Sequence, residues 1–270
     1  MKALVDGDIV AYRCAASADT EEDVSVALIR TDALMKEILE AVGADTYTVF
    51  LSGAKELNFR YNVDPMYKAN RVSTVKPIYL ESCKEFLVTN WEAVRCHGYE
   101  ADDGMGVAQD ANSVICSIDK DMLQVSGLHY NFVKKVFTNV LPEEGLKSFY
   151  IQTLVGDTSD NVIGVKGIGP VKAHKLLDPL LPEEYYEACK ALYDSEERFH
   201  NNCKLLYIWR EFNDIWKPPG VCSGRKAHQL EGSDLSHRSK GVSNGTDSLC
   251  NEVSEASSNL FGTDPKKHSQ

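Results

Sequence analysis

A chain of 270 residues with 43% hydrophobic side chains has enough apolar material for one large domain with a core, or a domain plus a small attachment. No apolar run reaches the roughly 18 residues of a membrane span, and an acid at position 6 breaks any apolar signal segment, so the reading is a cytoplasmic protein with no membrane partner. The formal net charge of −11 argues against a nucleic-acid partner, unless the carboxylates are gathered to hold metal ions.

In chain order, residues 2–5 form a short apolar run ending in acids, which predicts a buried strand feeding a loop. Leu34, Met35, Ile38, Leu39 and Val42 recur at helical spacing, and Gly43 is the stop. Residues 47–51 predict a second strand, and residues 58–76 are polar and basic without periodicity. Pro77 can open a helix to about residue 90, with Ile78, Phe86 and Leu87 on its inner face. Residues 93–96 and 113–118 predict further strands, separated by a helix over residues 101–110. Such alternation implies an α/β fold over residues 1–140, with a mostly parallel central sheet flanked by helices.

From Pro142 the pattern is helical, and residues 141–216 read as a helical part. Leu146, Phe149, Tyr150, Thr153 and Leu154 mark one helix, and two more are expected over residues 182–193 and 196–213. Past Pro218-Pro219-Gly220 the chain turns rich in Ser, Gly and charge, so residues 217–270 read as a disordered tail. The eight cysteines include no C-x-x-C pair and imply reduced, mostly buried thiols. The seven histidines are scattered and receive no role.

The acids fall in four clusters, each after an apolar stretch: Asp6 and Asp8; Glu100, Asp102 and Asp103; Asp119 and Asp121; Asp157 and Asp160. Asp6 and Asp119 each end a predicted strand, and the carboxyl edge of an open α/β sheet is its ligand crevice. Glu100 with Asp103, and Asp157 with Asp160, are three apart and read as neighbours on helical faces. Any one pair suits a helix cap or a solvated turn equally well. Gathered together, these carboxylates would repel one another unless cations sat between them. Oxygen-only ligands select Mg²⁺ or Mn²⁺, and two such ions roughly 4 Å apart serve phosphodiester hydrolysis.

Arg60, Lys68, Arg71 and Lys76, interleaved with Phe59 and Tyr67, would neutralise phosphates and offer a ring for an unpaired base. Gly167 and Gly169 permit a tight turn before Pro170, whose helix start presents backbone N–H groups to a phosphate. Lys166, Lys172 and Lys175 add charge there, and no acid lies between Gly164 and Lys175. This is the helix-hairpin-helix pattern that grips a DNA backbone without reading sequence.

Taken together, Val5-Asp6-Gly7 with Arg13, Tyr67-Lys68-Ala69-Asn70-Arg71, Glu100-Ala101-Asp102-Asp103, Ser117-Ile118-Asp119-Lys120-Asp121 and the run from Gly156-Asp157 to Gly169 occur in one family's order. The chain resembles the 5′-to-3′ exonuclease and flap endonuclease family, particularly its bacteriophage members, and is similar to the 5′-nuclease domain of bacterial DNA polymerase I. The resemblance implies Asp6, Glu100, Asp102, Asp119 and Asp121 as metal ligands with Asp103 in the cluster, and Asp157 and Asp160 at a second metal. It implies Lys68 and Arg71 at the base of a short arch (about residues 57–76), contacting the scissile phosphate, with Tyr67 as a stacking surface beside them. It further implies DNA binding through Arg13, Arg60 and the hairpin, a K⁺ at the hairpin turn, and action as a monomer on duplex 5′ ends, flaps and RNA–DNA hybrids.

The chain departs from that family after the second strand, where Phe50-Leu51-Ser52-Gly53 carries no acid. Glu56 or Asp8 could compensate, or the protein could bind branched DNA without cutting it. A phosphatase of the haloacid dehalogenase type would explain Asp6-Gly7-Asp8 and Ser52, but leaves the Glu100 cluster, Asp119-Lys120-Asp121 and the glycine turn without a task.

Overall fold

The first strand, β1 (Lys2–Asp6), lies inside the sheet with Ala3, Leu4 and Val5 fully buried. A strand covered on both faces reads as a continuous apolar run, which is why these residues signal so clearly. The computed structural model describes residues 1–18, 23–73 and 75–220; the tail expected over residues 217–270 lies outside the described residues beyond position 220.

On one side β1 pairs in parallel with β2 (Thr46–Ser52), and β2 with β3 (Val94–Cys96). On its other side β1 pairs in parallel with β4 (Ser113–Cys116), and β4 with β5 (Gly127–Asn131). Among the described residues of this sheet, only β6 (Val136–Val140) runs antiparallel, giving the order β3-β2-β1-β4-β5-β6. The fold is mixed α/β with a mostly parallel central sheet. The chain leaves β1 towards β2 and later returns on its other side as β4. That reversal opens a crevice at the carboxyl ends of the strands.

Alternation along β1 divides the core. Ala3 and Val5 pack with α1 (Gly7–Ser17), α2 (Val24–Val42) and α4 (Leu80–Trp91) on one face. Leu4 points to the other face, with Met105 of α5 (Ala101–Ala108), Ile115 and Ile208. Gly43 ends α2 as expected, with φ +59°. The third helix, α3 (Arg60–Val63), is a single turn within the basic segment.

Beyond the sheet, α6 (Pro142–Val155), α7 (Pro170–Leu177), α8 (Tyr185–Lys190) and α9 (Glu196–Leu206) share a second core that includes Phe149, Leu154, Leu177 and Phe199. A two-residue antiparallel pair, β7 (Gly156–Asp157) and β8 (Val162–Ile163), separates α6 from the glycine turn.

Several elements differ from the sequence expectation. The loop expected after β1 is α1, because the Asp6 carboxylate accepts the Ile9 N–H at 3.0 Å and caps a helix there. Gly7 is required at that junction, since a Cβ would come within 2.7 Å of the Phe50 carbonyl oxygen. The helix after Pro77 starts at Leu80, leaving Ile78 exposed instead of inside. The last helix stops at Leu206, because the backbone beyond it bonds to Arg60, Asp103 and Gln124. Residues 182–193 divide into a 3-10 turn and the short α8. The hairpin of β5 and β6 had no clear signal.

All six described cysteines are free and buried. Among the described residues, no helix is long and apolar enough to cross a membrane.

Candidate active site

The carboxyl edge of the sheet opens into a pocket of about 930 Å³. Its walls carry Asp6, Asp8, Glu100, Asp102, Asp119, Asp121, Asp157 and Asp160, so each of the four acidic clusters reaches one place. Asp6 ends β1; Asp119 and Asp121 follow β4; Glu100 and Asp102 sit at the start of α5; Asp157 belongs to β7.

The wall built by β1, β4 and α5 is electrostatically frustrated. Burial pushes the Asp6 carboxyl up to about 7, and the charges of Asp8 and Asp119 add to this, against hydrogen bonds from Ile9 and Ser117. Burial together with Asp6 and Asp119 holds Asp102 well above the ordinary carboxylate range. Asp121 is pushed up to about 7 by burial and by Asp119 and Asp157. Carboxyls whose pKa is raised by burial first, and by neighbouring carboxylates after it, are groups a cation would relieve.

The opposite wall carries its own cations. Lys68 Nζ lies 2.5 Å from Glu100 Oε1 and 3.6 Å from Asp160 Oδ2, and the Arg71 guanidinium pairs with Asp160. Burial alone would raise Glu100, but Lys68 and Arg60 outweigh it and bring the carboxyl down to about 2. Arg71 Nε also donates to the Ser159 carbonyl at 3.0 Å, and Asn70 Nδ2 to the Thr158 carbonyl at 2.6 Å. These bonds tie the basic segment to the turn between β7 and β8.

Asp157 accepts from Ser159 through both N–H and hydroxyl at 2.7 Å, which lowers its pKa against the effect of burial. Asp157 and Asp160 thus stand on a strand end and a turn, not on a helical face as expected. Among the described residues, no group of three or more His, Cys, Asp or Glu side chains meets closely enough to hold an ion. The carboxylates instead line the walls. Their all-oxygen chemistry fits a hard divalent cation.

Three expected site residues belong to the framework instead. Asp103, grouped with the metal ligands, is fully buried and forms a two-pronged ion pair with Arg60 at 2.6 and 2.9 Å. It also accepts the Glu100 and Trp209 N–H groups, so it faces away from the pocket. Arg60, expected to touch DNA, is 2% exposed and donates to the carbonyls of Leu205 and Tyr207. Tyr67, expected to stack on a base, is also 2% exposed, and its hydroxyl donates to Asp160 at 2.8 Å and lies 3.2 Å from Glu100. A buried ring packed against Tyr61 offers no open face.

Arg13 is exposed on α1, while its neighbour Tyr12 lines the pocket. In the glycine turn, Gly167 has φ +77°, a conformation that favours glycine, and Pro170 opens α7. Lys166, Lys172 and Lys175 are exposed around it, as are Gly167 and Gly169.

Sequence reasoning missed Ser117, whose hydroxyl donates to Asp6 at 2.8 Å and accepts the Asp119 N–H at 3.1 Å, bridging the ends of β1 and β4. It also gave no task to Lys84 or to the rings of Tyr12, Tyr61 and Tyr99, all of which line the pocket. Only the Ser-x-Asp spacing hinted at Ser117; the others carry no local signal. Ser52 does reach the site, but its hydroxyl accepts the Ala101 N–H at 3.0 Å and helps to start α5.

A family model described as the N-terminal resolvase-like domain of 5′-3′ exonucleases matches residues 2–150. The chain is 31% identical over 206 residues to a 5′-3′ exonuclease of Mycoplasma genitalium, covering 64% of this chain and 70% of that relative. It is 28% identical over 210 residues to a 5′-3′ exonuclease of Bacillus subtilis, covering 64% and 68%. A third match, 30% identical over 196 residues, is to 23% of the thermostable DNA polymerase I of Thermus thermophilus. Among solved structures, the T5 5′-exonuclease with bound zinc ions superposes with a TM-score of 0.59 at 19% identity, over 76% of this chain and 88% of that one. The T5 D15 flap endonuclease, as a pseudo-enzyme-product complex with DNA and metal ions, gives 0.57 at 18% identity over the same shares. These two likenesses are of fold.

Proposed function

This chain belongs to the 5′-3′ exonuclease family, and on that premise we propose that it is a divalent-metal-dependent nuclease hydrolysing phosphodiester bonds at the 5′ ends of DNA, by exonuclease and flap cleavage. The observation that carries the reading is the frustrated wall of Asp6, Asp102, Asp119 and Asp121, where burial and like charge favour a cation.

In this proposal Asp6, Glu100, Asp102, Asp119, Asp121, Asp157 and Asp160 would hold two Mg²⁺ ions, for which Mn²⁺ could substitute. Ions held there would supply an activated water and stabilisation of the leaving oxygen. Ser117 fixes the Asp6 carboxylate and the Asp119 backbone relative to each other. Lys68 and Arg71 exchange their carboxylate partners for the scissile phosphate and neutralise its developing charge. The turn at Gly167 and Gly169, with Lys166, Lys172 and Lys175, acts as a helix-hairpin-helix grip on the downstream duplex, with K⁺ at the turn. The same chemistry extends the substrate range to RNA–DNA hybrids and suits primer removal in phage-type replication, by a monomer in the cytoplasm.

Variant kinetics test these roles. Asp102→Asn abolishes cleavage of a 5′-flapped duplex and keeps binding. Lys68→Ala slows single-turnover cleavage about a hundredfold with little loss of binding, while Lys172→Ala mainly weakens binding and flattens its salt dependence. The reverse pattern in the two lysine variants overturns the assignment.

Ser52 favours one second reading, a DNA-binding protein that does not cut, since no acid follows β2. That reading requires Mg²⁺-independent binding to branched DNA with no products.

A further inference from the structure

Asp8 occupies the pocket wall beside the end of β2, and its two carboxylate oxygens are held unequally. Oδ2 accepts the Ser52 backbone N–H at 2.8 Å, which fixes the carboxylate plane against the sheet edge. Lys84 Nζ, from α4, lies 2.7 Å from Oδ1 without an aligned hydrogen bond, so that oxygen is buried with a charge contact alone. One oxygen is therefore positioned by backbone. The other faces an ammonium on a flexible four-carbon stem.

The surroundings leave few other donors at this corner. The Ser52 hydroxyl is engaged with the Ala101 N–H. Glu56 is exposed and does not line the pocket. Asp6, two residues before Asp8, lines the same pocket.

We propose that Asp8 is a ligand in the same divalent-cation set as Asp6, and that Lys84 is the counter-ion it gives up when a cation is taken. The inference rests on the nuclease reading above and adds a metal-binding residue to it. Lys84 competes for the site: it keeps Asp8 neutralised until the divalent ion displaces it.

Mn²⁺ alone, titrated into the full chain without DNA, gives the test, with free Mn²⁺ followed by electron paramagnetic resonance. Asn at position 8 can still accept the Ser52 N–H, so the backbone contact survives. Asp8→Asn should weaken Mn²⁺ binding about tenfold. Lys84→Met, which removes the competitor, should tighten it about threefold. Wild-type affinity in Asp8→Asn, or unchanged or weaker binding in Lys84→Met, overturns the proposal. If Asp119→Asn loses Mn²⁺ while Asp8→Asn does not, the metal centre stands and only the role of Asp8 falls. If the wild type binds no Mn²⁺, both fall.

Discussion

At the scale of single residues, Asp102 and Asp103 show how burial and partner decide what an acid does. Asp103 is held by the Arg60 guanidinium and two backbone N–H groups, inside the protein. Removing one member of such a pair leaves a buried charge without a partner, which costs about 3–5 kcal/mol. Asp103→Ala is therefore expected to lower stability by about that amount in urea unfolding. Asp102→Ala should leave stability unchanged or raise it, because burial and like charges already disfavour its carboxylate. Equal losses in the two variants would contradict this division. The sequence presents the two acids as equivalent neighbours. What separates them is an arginine 43 residues earlier, and no local spacing reports on that.

At the scale of elements, the strands of the sheet were legible because β1, β4 and residues 49–51 of β2 are buried runs ended by polar residues. The Asp6 and Asp119 clusters were legible for the same reason, since β1 and β4 lead into them. The helix α1 was not, because its start is a glycine between two acids and its cap is the candidate ligand Asp6. The hairpin of β5 and β6 was hidden by its position: β6 is an edge strand whose Val136 and Phe137 remain exposed.

His129 on β5 illustrates what that hairpin buries. Its Nε2 faces the Val125 carbonyl oxygen at 2.7 Å, and burial holds its pKa below the usual 6.5. The unfolded chain takes up a proton near pH 6.5 that the folded chain resists, so stability is lost as pH falls below about 6.5. His129→Gln keeps a donor for Val125 and should flatten that part of the stability profile. An unaltered slope would show that His129 titrates alike in both states.

At the scale of the whole molecule, the net charge of −11 and a nucleic-acid substrate are compatible because the charge is distributed unevenly. Eight carboxylates line one pocket, while Lys166, Lys172 and Lys175 stand exposed around the glycine turn. In that pocket Lys68 and Arg71 sit against Glu100 and Asp160, where a phosphate can compete for them. The basic segment is fastened to α5 by the Arg60–Asp103 pair, and to the β7–β8 turn by Tyr67, Asn70 and Arg71. Arg60 and Tyr67, expected to touch DNA, hold the segment in place, while Arg71 both fastens it and lines the pocket.

Metal-dependent 5′ cleavage is the activity proposed for this pocket. It is tested most directly by incubating the wild-type protein with a 5′-flapped duplex labelled at either end, in Mg²⁺ or in EDTA. The account predicts products in Mg²⁺ alone, arising from the 5′ side, with lengths that report stepwise trimming or flap removal. Intact DNA in Mg²⁺ with binding retained, or equal cleavage in EDTA, would contradict it.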